Sequence, residues 1–159
     1  ADLSGIEGSL NAILFESERQ SFQLQASASF LESEIKSFRS NRVAEALATV
    51  GDPLPGAPDV TARLALVHQI GFGNGMDLRS ELSANHHGEE SNRLNAVPGN
   101  TAEAYTLVNA RLDLGFAAGW TAYLYGRNIA DEVYFPELNG PVRLVGAPAT
   151  WGGGLRSAF

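Results

Sequence analysis

Gly119-Trp120-Thr121-Ala122-Tyr123-Leu124-Tyr125-Gly126-Arg127-Asn128-Ile129-Ala130-Asp131-Glu132 and, after a polar interval, Ala147-Pro148-Ala149-Thr150-Trp151-Gly152-Gly153-Gly154-Leu155-Arg156-Ser157-Ala158-Phe159 decide how this chain is read. Counting back in twos from Phe159 puts Phe159, Ser157, Leu155, Gly153 and Trp151 on one face and Ala158, Arg156, Gly154, Gly152 and Thr150 on the other, which is the period of a strand. The first face is apolar with an aromatic at each end, and the second carries the charge. A tilted strand crosses bilayer hydrocarbon in roughly 9–11 residues and places aromatic rings at the two interfaces, so this pattern suits a membrane-spanning strand. A soluble strand, at about five or six residues, has no need of that length.

Working outward, the same alternation recurs. Ile6, Gly8, Leu10, Ala12 and Leu14 alternate with Glu7, Ser9, Asn11, Ile13 and Phe15, and Phe22, Leu24, Ala26, Ala28 and Phe30 oppose Gln23, Gln25, Ser27, Ser29 and Leu31. Val60, Ala62, Leu64, Leu66 and Ile70 share a face with His68 against Thr61, Arg63, Ala65, Val67 and Gln69; Met76, Leu78, Ser80, Leu82 and Ala84 oppose Asp77, Arg79, Glu81, Ser83 and Asn85. Thr106, Val108, Ala110, Leu112, Leu114 and Phe116 oppose Tyr105, Leu107, Asn109, Arg111 and Asp113. With the terminal pair this makes about seven strands. Their links alternate short and long: Glu16 to Gln20, Gly71 to Gly75 and Ala117 to Gly119 are short. The long ones include Glu32 to Pro58, where Arg42 to Val50 suits a short helix, and His86 to Ala104, with a Pro98-Gly99-Asn100 turn signal.

Antiparallel outer-membrane barrels have short periplasmic turns and longer extracellular loops, so the short links are expected on the periplasmic side and the long ones outside. The expected fold class is all-β, an antiparallel up-and-down transmembrane β-barrel. Seven strands do not close a bacterial barrel, which has an even count, so residues 1–159 are expected to be part of a larger barrel.

Composition sets wider bounds. No run approaches eighteen apolar residues, which excludes a transmembrane helix and leaves barrels open; Ala1-Asp2-Leu3-Ser4 lacks the charged and apolar regions of a signal peptide. The absence of cysteine rules out disulfide frameworks and cysteine-based metal sites. A net charge of −7, with scattered Lys and Arg, argues against a nucleic-acid partner.

The two quoted stretches also resemble the C-terminus of TonB-dependent outer-membrane receptors. In that family the penultimate strand runs into an Asn-Leu-x-Asp-x-x-Tyr-like segment, matched by Asn128, Ile129, Asp131 and Tyr134 with Ile in place of Leu, and the last strand ends on Phe, matched by Phe159. Leu54-Pro55-Gly56-Ala57-Pro58 resembles the family's Leu-Pro-x-x-Pro lead into a strand, and Tyr105, Asn109 and Arg111 resemble its Tyr-x-x-x-Asn-x-Arg strand. The resemblance implies a receptor in the bacterial outer membrane for a ferric siderophore, vitamin B12 or an oligosaccharide. It also implies that residues 1–159 are the C-terminal segment of a roughly 22-stranded barrel whose plug domain and earlier strands lie outside them, with contact to lipid, the plug domain and the TonB system, and recognition of Phe159 by the barrel-assembly machinery. The alternative is a small outer-membrane barrel or a soluble β-sandwich acting as a binding or structural module.

No catalytic, cofactor-binding or metal-binding residue is assigned. His86 and His87 with Glu89 and Glu90 offer metal-ligand chemistry, but neighbours in a strand point to opposite faces and a solvated loop edge is expected. Gly71-Phe72-Gly73-Asn74-Gly75 lacks the third glycine and following helix of a nucleotide loop and reads as a hairpin turn. Asn128 and Asp131 have no nucleophile near them and read as caps of free backbone groups, so no enzyme is expected. Glu7, Arg63, Arg79, Glu81, Arg111, Asp113 and Arg156 form a charged inward stripe that a barrel lumen is expected to solvate and partly pair, some of it against a plug.

Overall fold

The computed structural model describes residues 1–37, 49–93, 99, 101–116, 119–139 and 142–157. The strands are β1 (Asp2–Glu16), β2 (Gln20–Glu34), β3 (Val60–Phe72), β4 (Met76–His87), β5 (Glu90–Ser91), β6 (Thr101–Ala102), β7 (Tyr105–Phe116), β8 (Trp120–Arg127), β9 (Glu137–Asn139), β10 (Val142–Leu144) and β11 (Thr150–Ser157). Seven of them make one open sheet in the order β1-β2-β3-β4-β7-β8-β11, every neighbouring pair antiparallel. β5 with β6 and β9 with β10 are small separate ribbons within the long links. These ribbons have too few residues to show a period.

Register turns the alternation into two surfaces. Ala12, Leu24, Leu66, Leu82, Ala110, Gly126 and Trp151 are successive partners across all seven strands, so one row of the sheet is apolar from edge to edge. The adjacent row, Ile13, Gln23, Val67, Glu81, Arg111, Tyr125 and Gly152, lies on the opposite face and is mostly polar.

Burial on the two faces is the reverse of a water-soluble domain. Leu64, Leu66, Leu82, Leu112, Leu124 and Leu155 on the apolar face are all at least 44% exposed, whereas Ala65 and Val67, flanked by long side chains on the polar face, are 0% and 2% exposed. Among the described residues no second sheet covers the apolar face, so the sandwich alternative has no opposing layer. No helix among them is long and apolar enough to cross a membrane, which says nothing about strands.

β1 departs from strict alternation. A bulge between Ile13 and Phe15 makes Leu14 the extra residue and sets Phe15 opposite Phe22, on the apolar face, rather than opposite the lumen stripe. A continuous period of two would leave both Ile13 and Phe15 on the polar side; the bulge returns Phe15 to the apolar face while Ile13 stays opposite Gln23. His68 is one of the polar residues on the apolar face, beside Ser80 in the sheet. Its ring stacks on Phe22 at 4.0 Å between centroids, nearly parallel, and its Nε2 is buried without a hydrogen-bond partner among the described residues.

The short links fall at one end of the sheet and the long ones at the other. Ser17 and Gln20 close the first turn through the Ser17 N–H donating to the Gln20 carbonyl at 2.8 Å, and Gly75, at φ 81°, lets the β3–β4 turn reverse. Gly71 to Gly75 is thus the expected hairpin turn. Leu54 to Pro58 lies along the long-loop end, the Leu54 N–H donating to Ser33 Oγ and the Gly56 N–H to the Ser91 carbonyl, and it leads into β3 at Val60 as its sequence suggests. Phe159, Ala117 and Ala118, Pro98 and Asn100, and residues 42–48 of the expected short helix lie outside the described residues.

Candidate functional site at the polar face

The polar face of β3, β4, β7, β8 and β11 carries two clusters of paired charges. Arg63 donates to Glu81 at 3.0 Å and to Asn85 at 2.9 Å, and Arg79 donates to the other Glu81 oxygen at 2.7 Å. Arg111 grips Asp113 through Nε and an Nη nitrogen, both at 2.7 Å, while Arg156 reaches the same carboxylate at 3.4 Å from two strands away. Strand residues two apart share a face and meet, which is why Arg79 finds Glu81 and Arg111 finds Asp113. The structure thus pairs six of the seven residues of the expected stripe, three in each of two clusters. Glu7 lies apart, lining a second concavity with Ser9, Ser27, Thr61 and Arg63.

Aromatic rings that the sequence reading did not single out complete the surface. Tyr123 and Tyr125 stack loosely, 6.5 Å between centroids; Arg111 lies over Tyr123 at 5.0 Å and Arg127 over Tyr125 at 5.3 Å. Both rings lean across the neighbouring strand onto glycines. A Cβ added at Gly152 would sit 2.6 Å from the Tyr125 ring, and one at Gly154 would sit 2.8 Å from the Tyr123 hydroxyl, so glycine is what allows the rings to lie down. Gly152→Leu is expected to cost about 1–3 kcal/mol by forcing Tyr125 off its seat. Gly8→Leu, at a strand position open to space within 4 Å, is expected to cost under about 0.5 kcal/mol. Urea titrations of the folded barrel compare the two.

At the long-loop end the Asn-x-x-Asp segment is a hydrogen-bonded clasp. Asn128 and Asp131 hold φ of 49° and 53°, and Asn128 is 3% exposed. The Asn128 backbone N–H donates to Asn109 Oδ1 at 3.0 Å, its Nδ2 donates to the carbonyls of Glu132 (2.9 Å) and Ala147 (3.1 Å), and its Oδ1 accepts from the Glu132 N–H (2.9 Å). Asp131 Oδ1 accepts from the Ala149 N–H at 2.9 Å. The pair ties the end of β8 to the start of β11, each side chain capping backbone groups. Asn109 joins the clasp as a further member, taking the N–H that would otherwise pair with β7, while the Ile129 N–H donates to the Val108 carbonyl. Asn128→Ala is expected to cost about 2 kcal/mol, because buried backbone groups lose partners, and Asp131→Ala, at a more exposed bond, about 1 kcal/mol. Thermal melts in detergent check the order.

The two histidines diverge as adjacent strand residues must. His86 Nδ1 lies 2.9 Å from Thr106 Oγ1, whereas His87 Nε2 lies 3.3 Å from Glu90 and stacks on Tyr105, which in turn packs against Tyr134 with 4.5 Å between centroids. Among the described residues no group of three His, Asp or Glu side chains is arranged to hold an ion.

The comparisons agree with this geometry. Residues 1–129 match the family model described as TonB dependent receptor-like, beta-barrel. No curated protein matches the chain. Among solved structures, the siderophore receptor PiuA from Acinetobacter baumannii is similar in fold, with a TM-score of 0.64 and 16% sequence identity over 92% of this chain. The chain spans 20% of that receptor's length. The family model covers most of the sequence and the sheet has the two-faced build of a barrel wall; this chain belongs to the TonB-dependent receptor β-barrel family, whose members are receptors and transporters rather than enzymes.

Proposed function

We propose that the chain is the C-terminal part of the barrel of a bacterial outer-membrane receptor that imports a scarce nutrient, a ferric siderophore, vitamin B12 or an oligosaccharide, with energy delivered through TonB. The observation that supports this reading is the inverted burial: an apolar face seven strands wide is exposed while the charges gather on the other face. Lipid covers the first face and the barrel lumen solvates the second. In that frame the short turns face the periplasm and the long links face outward. Earlier strands close the barrel between β1 and β11, a plug domain fills its lumen, and the C-terminal Phe159 is read by the assembly machinery.

Deleting the full-length gene in the producing bacterium tests the reading. Uptake of one of the three nutrient classes is expected to fall to background, and to fall equally when TonB is removed, with the protein recovered in the outer-membrane fraction. Recovery in a soluble fraction, or uptake of all three classes unchanged by the deletion, contradicts it.

A further inference from the structure

One row of the apolar face steps down. Leu24, Leu66 and Leu82 carry it across β2, β3 and β4, then Ala110 and Gly126 follow as direct partners on β7 and β8 before Trp151 restores bulk on β11. In the next row toward the short turns, Leu112 and Leu124 stand opposite each other on the same two strands. Two small residues framed by three large ones leave a groove of about 400 Å³. Arg111 and Tyr125 also border it, but alternation sends their side chains to the opposite face, where Arg111 holds Asp113 and Tyr125 lies over Gly152. They lend the groove only backbone, so its walls are carbon.

Glycine shapes one of those walls. A Cβ at Gly126 would stand 2.5 Å from the Trp151 ring and 2.6 Å from Ile129 Cγ2, so the indole lies across β8 and closes one side. Trp151 and Leu124 are nevertheless 69% and 62% exposed, and the groove opens away from the sheet toward whatever surrounds the barrel. Gly126 is one residue from the end of β8 and Trp151 one residue from the start of β11, both at the end that carries the long links. An aromatic ring in that place on a membrane strand marks the interface, so the groove begins just beneath it, where lipid chains begin.

The groove is continuous with the face that meets hydrocarbon on every strand, and no second sheet covers it among the described residues. A lipid chain on a flat wall touches it along one side. In the groove the chain meets Ala110 and Gly126 beneath it, Leu112 and Leu124 at one end and Trp151 at its flank, and dispersion contacts accumulate with each carbon touched. Within a membrane the hydrophobic effect does not distinguish a lipid tail from leucine, so packing of this kind decides which contact lasts.

We propose that the groove over Ala110 and Gly126 is a seat for one acyl chain of a membrane lipid, in the half of the bilayer nearer the long links, held longer than the lipids on the rest of the wall. The inference rests on the receptor reading above and adds a particular lipid site on β7, β8 and β11.

The full-length receptor, stripped of lipid in detergent and titrated with palmitoyl-oleoyl phosphatidylethanolamine, tests the assignment by native mass spectrometry, with heat-modifiable gel mobility reporting that each barrel is folded. Ala110→Phe fills the groove, whereas Ala84→Phe makes the same change on the same face of β4, outside its lining. Wild type and A84F are expected to retain the same number of lipids. A110F is expected to retain one fewer, with the affinity for that lipid down about tenfold as its contacts are lost. Equal retention by all three folded proteins overturns the seat, and equal losses in both variants overturn it by making every part of the wall alike; both results leave the receptor reading intact. A dimeric wild type with monomeric A110F also overturns it and gives the groove to a second copy. Recovery of the full-length protein as a soluble monomer without detergent overturns the receptor reading together with the site. Should A110F not fold, Trp151→Ala, which removes one wall, takes its place: loss of the same lipid is expected, and unchanged retention overturns the proposal.

Discussion

Leu112→Arg is expected to destabilise the full-length barrel, folded into lipid vesicles, by about 2–4 kcal/mol. Leu112 is 45% exposed at the middle of β7, between Ser80 and Leu124 in the sheet, so its side chain stands in hydrocarbon if the apolar face meets lipid. A guanidinium there loses its hydration and finds no carboxylate on its face within reach. Arg111→Leu, one residue earlier, is expected to cost about 1 kcal/mol or less. It removes a part-exposed ion pair, and Asp113 keeps Arg156. A denaturant titration of both variants reads the difference; equal costs contradict the assignment of faces, and a one-residue slip of register would reverse them.

That contrast was legible in the sequence because the alternation from Tyr105 to Phe116 is unbroken, and the structure places β7 at those residues. Strand existence and the short turns followed from the same periodicity, which a half-lipid, half-lumen surface imposes on every strand. The bulge at Ile13 to Phe15 was harder, since an extra residue changes the phase of a pattern without changing its composition. The charged stripe could be written down from its parity, but its pairing could not. Arg156 meets Asp113 through β8, and the Tyr125 ring lies over Gly152 only because of one particular register. Asn109 carried no sign in the sequence that it would cap Asn128 from nineteen residues away, and Arg127 acquires its place on the polar face from the same strand pairing.

The isolated chain, residues 1–159, is expected not to form a stable soluble monomer. β1 and β11 are the two edges of an open sheet, each with a row of backbone donors and acceptors that a closed barrel would pair. Leu3, Ile6 and Leu10 on the first edge strand, with Trp151 and Leu155 on the last, are all more than half exposed, so the edges are apolar as well as unpaired. In water such edges recruit other chains, and in lipid each unsatisfied backbone group costs several kcal/mol. Size-exclusion chromatography without detergent is expected to give aggregate. A monodisperse monomer with a sharp cooperative melt would mean that the apolar face packs on itself, as a sandwich would.

The most direct test is where the side chains of β7 stand in the bilayer. The chain has no cysteine, so single cysteines at positions 107 to 114 can carry a nitroxide label in the full-length receptor, any cysteine elsewhere being replaced, and the collision rates with oxygen and with a water-soluble nickel chelate can be measured in vesicles. Labels at 108, 110, 112 and 114 are expected to favour oxygen, and labels at 107, 109, 111 and 113 are expected to show lower oxygen accessibility, with a period of two along the strand. Loss of that alternation, or its appearance in the opposite phase, would contradict a barrel wall with Leu112 toward lipid and Arg111 toward the lumen.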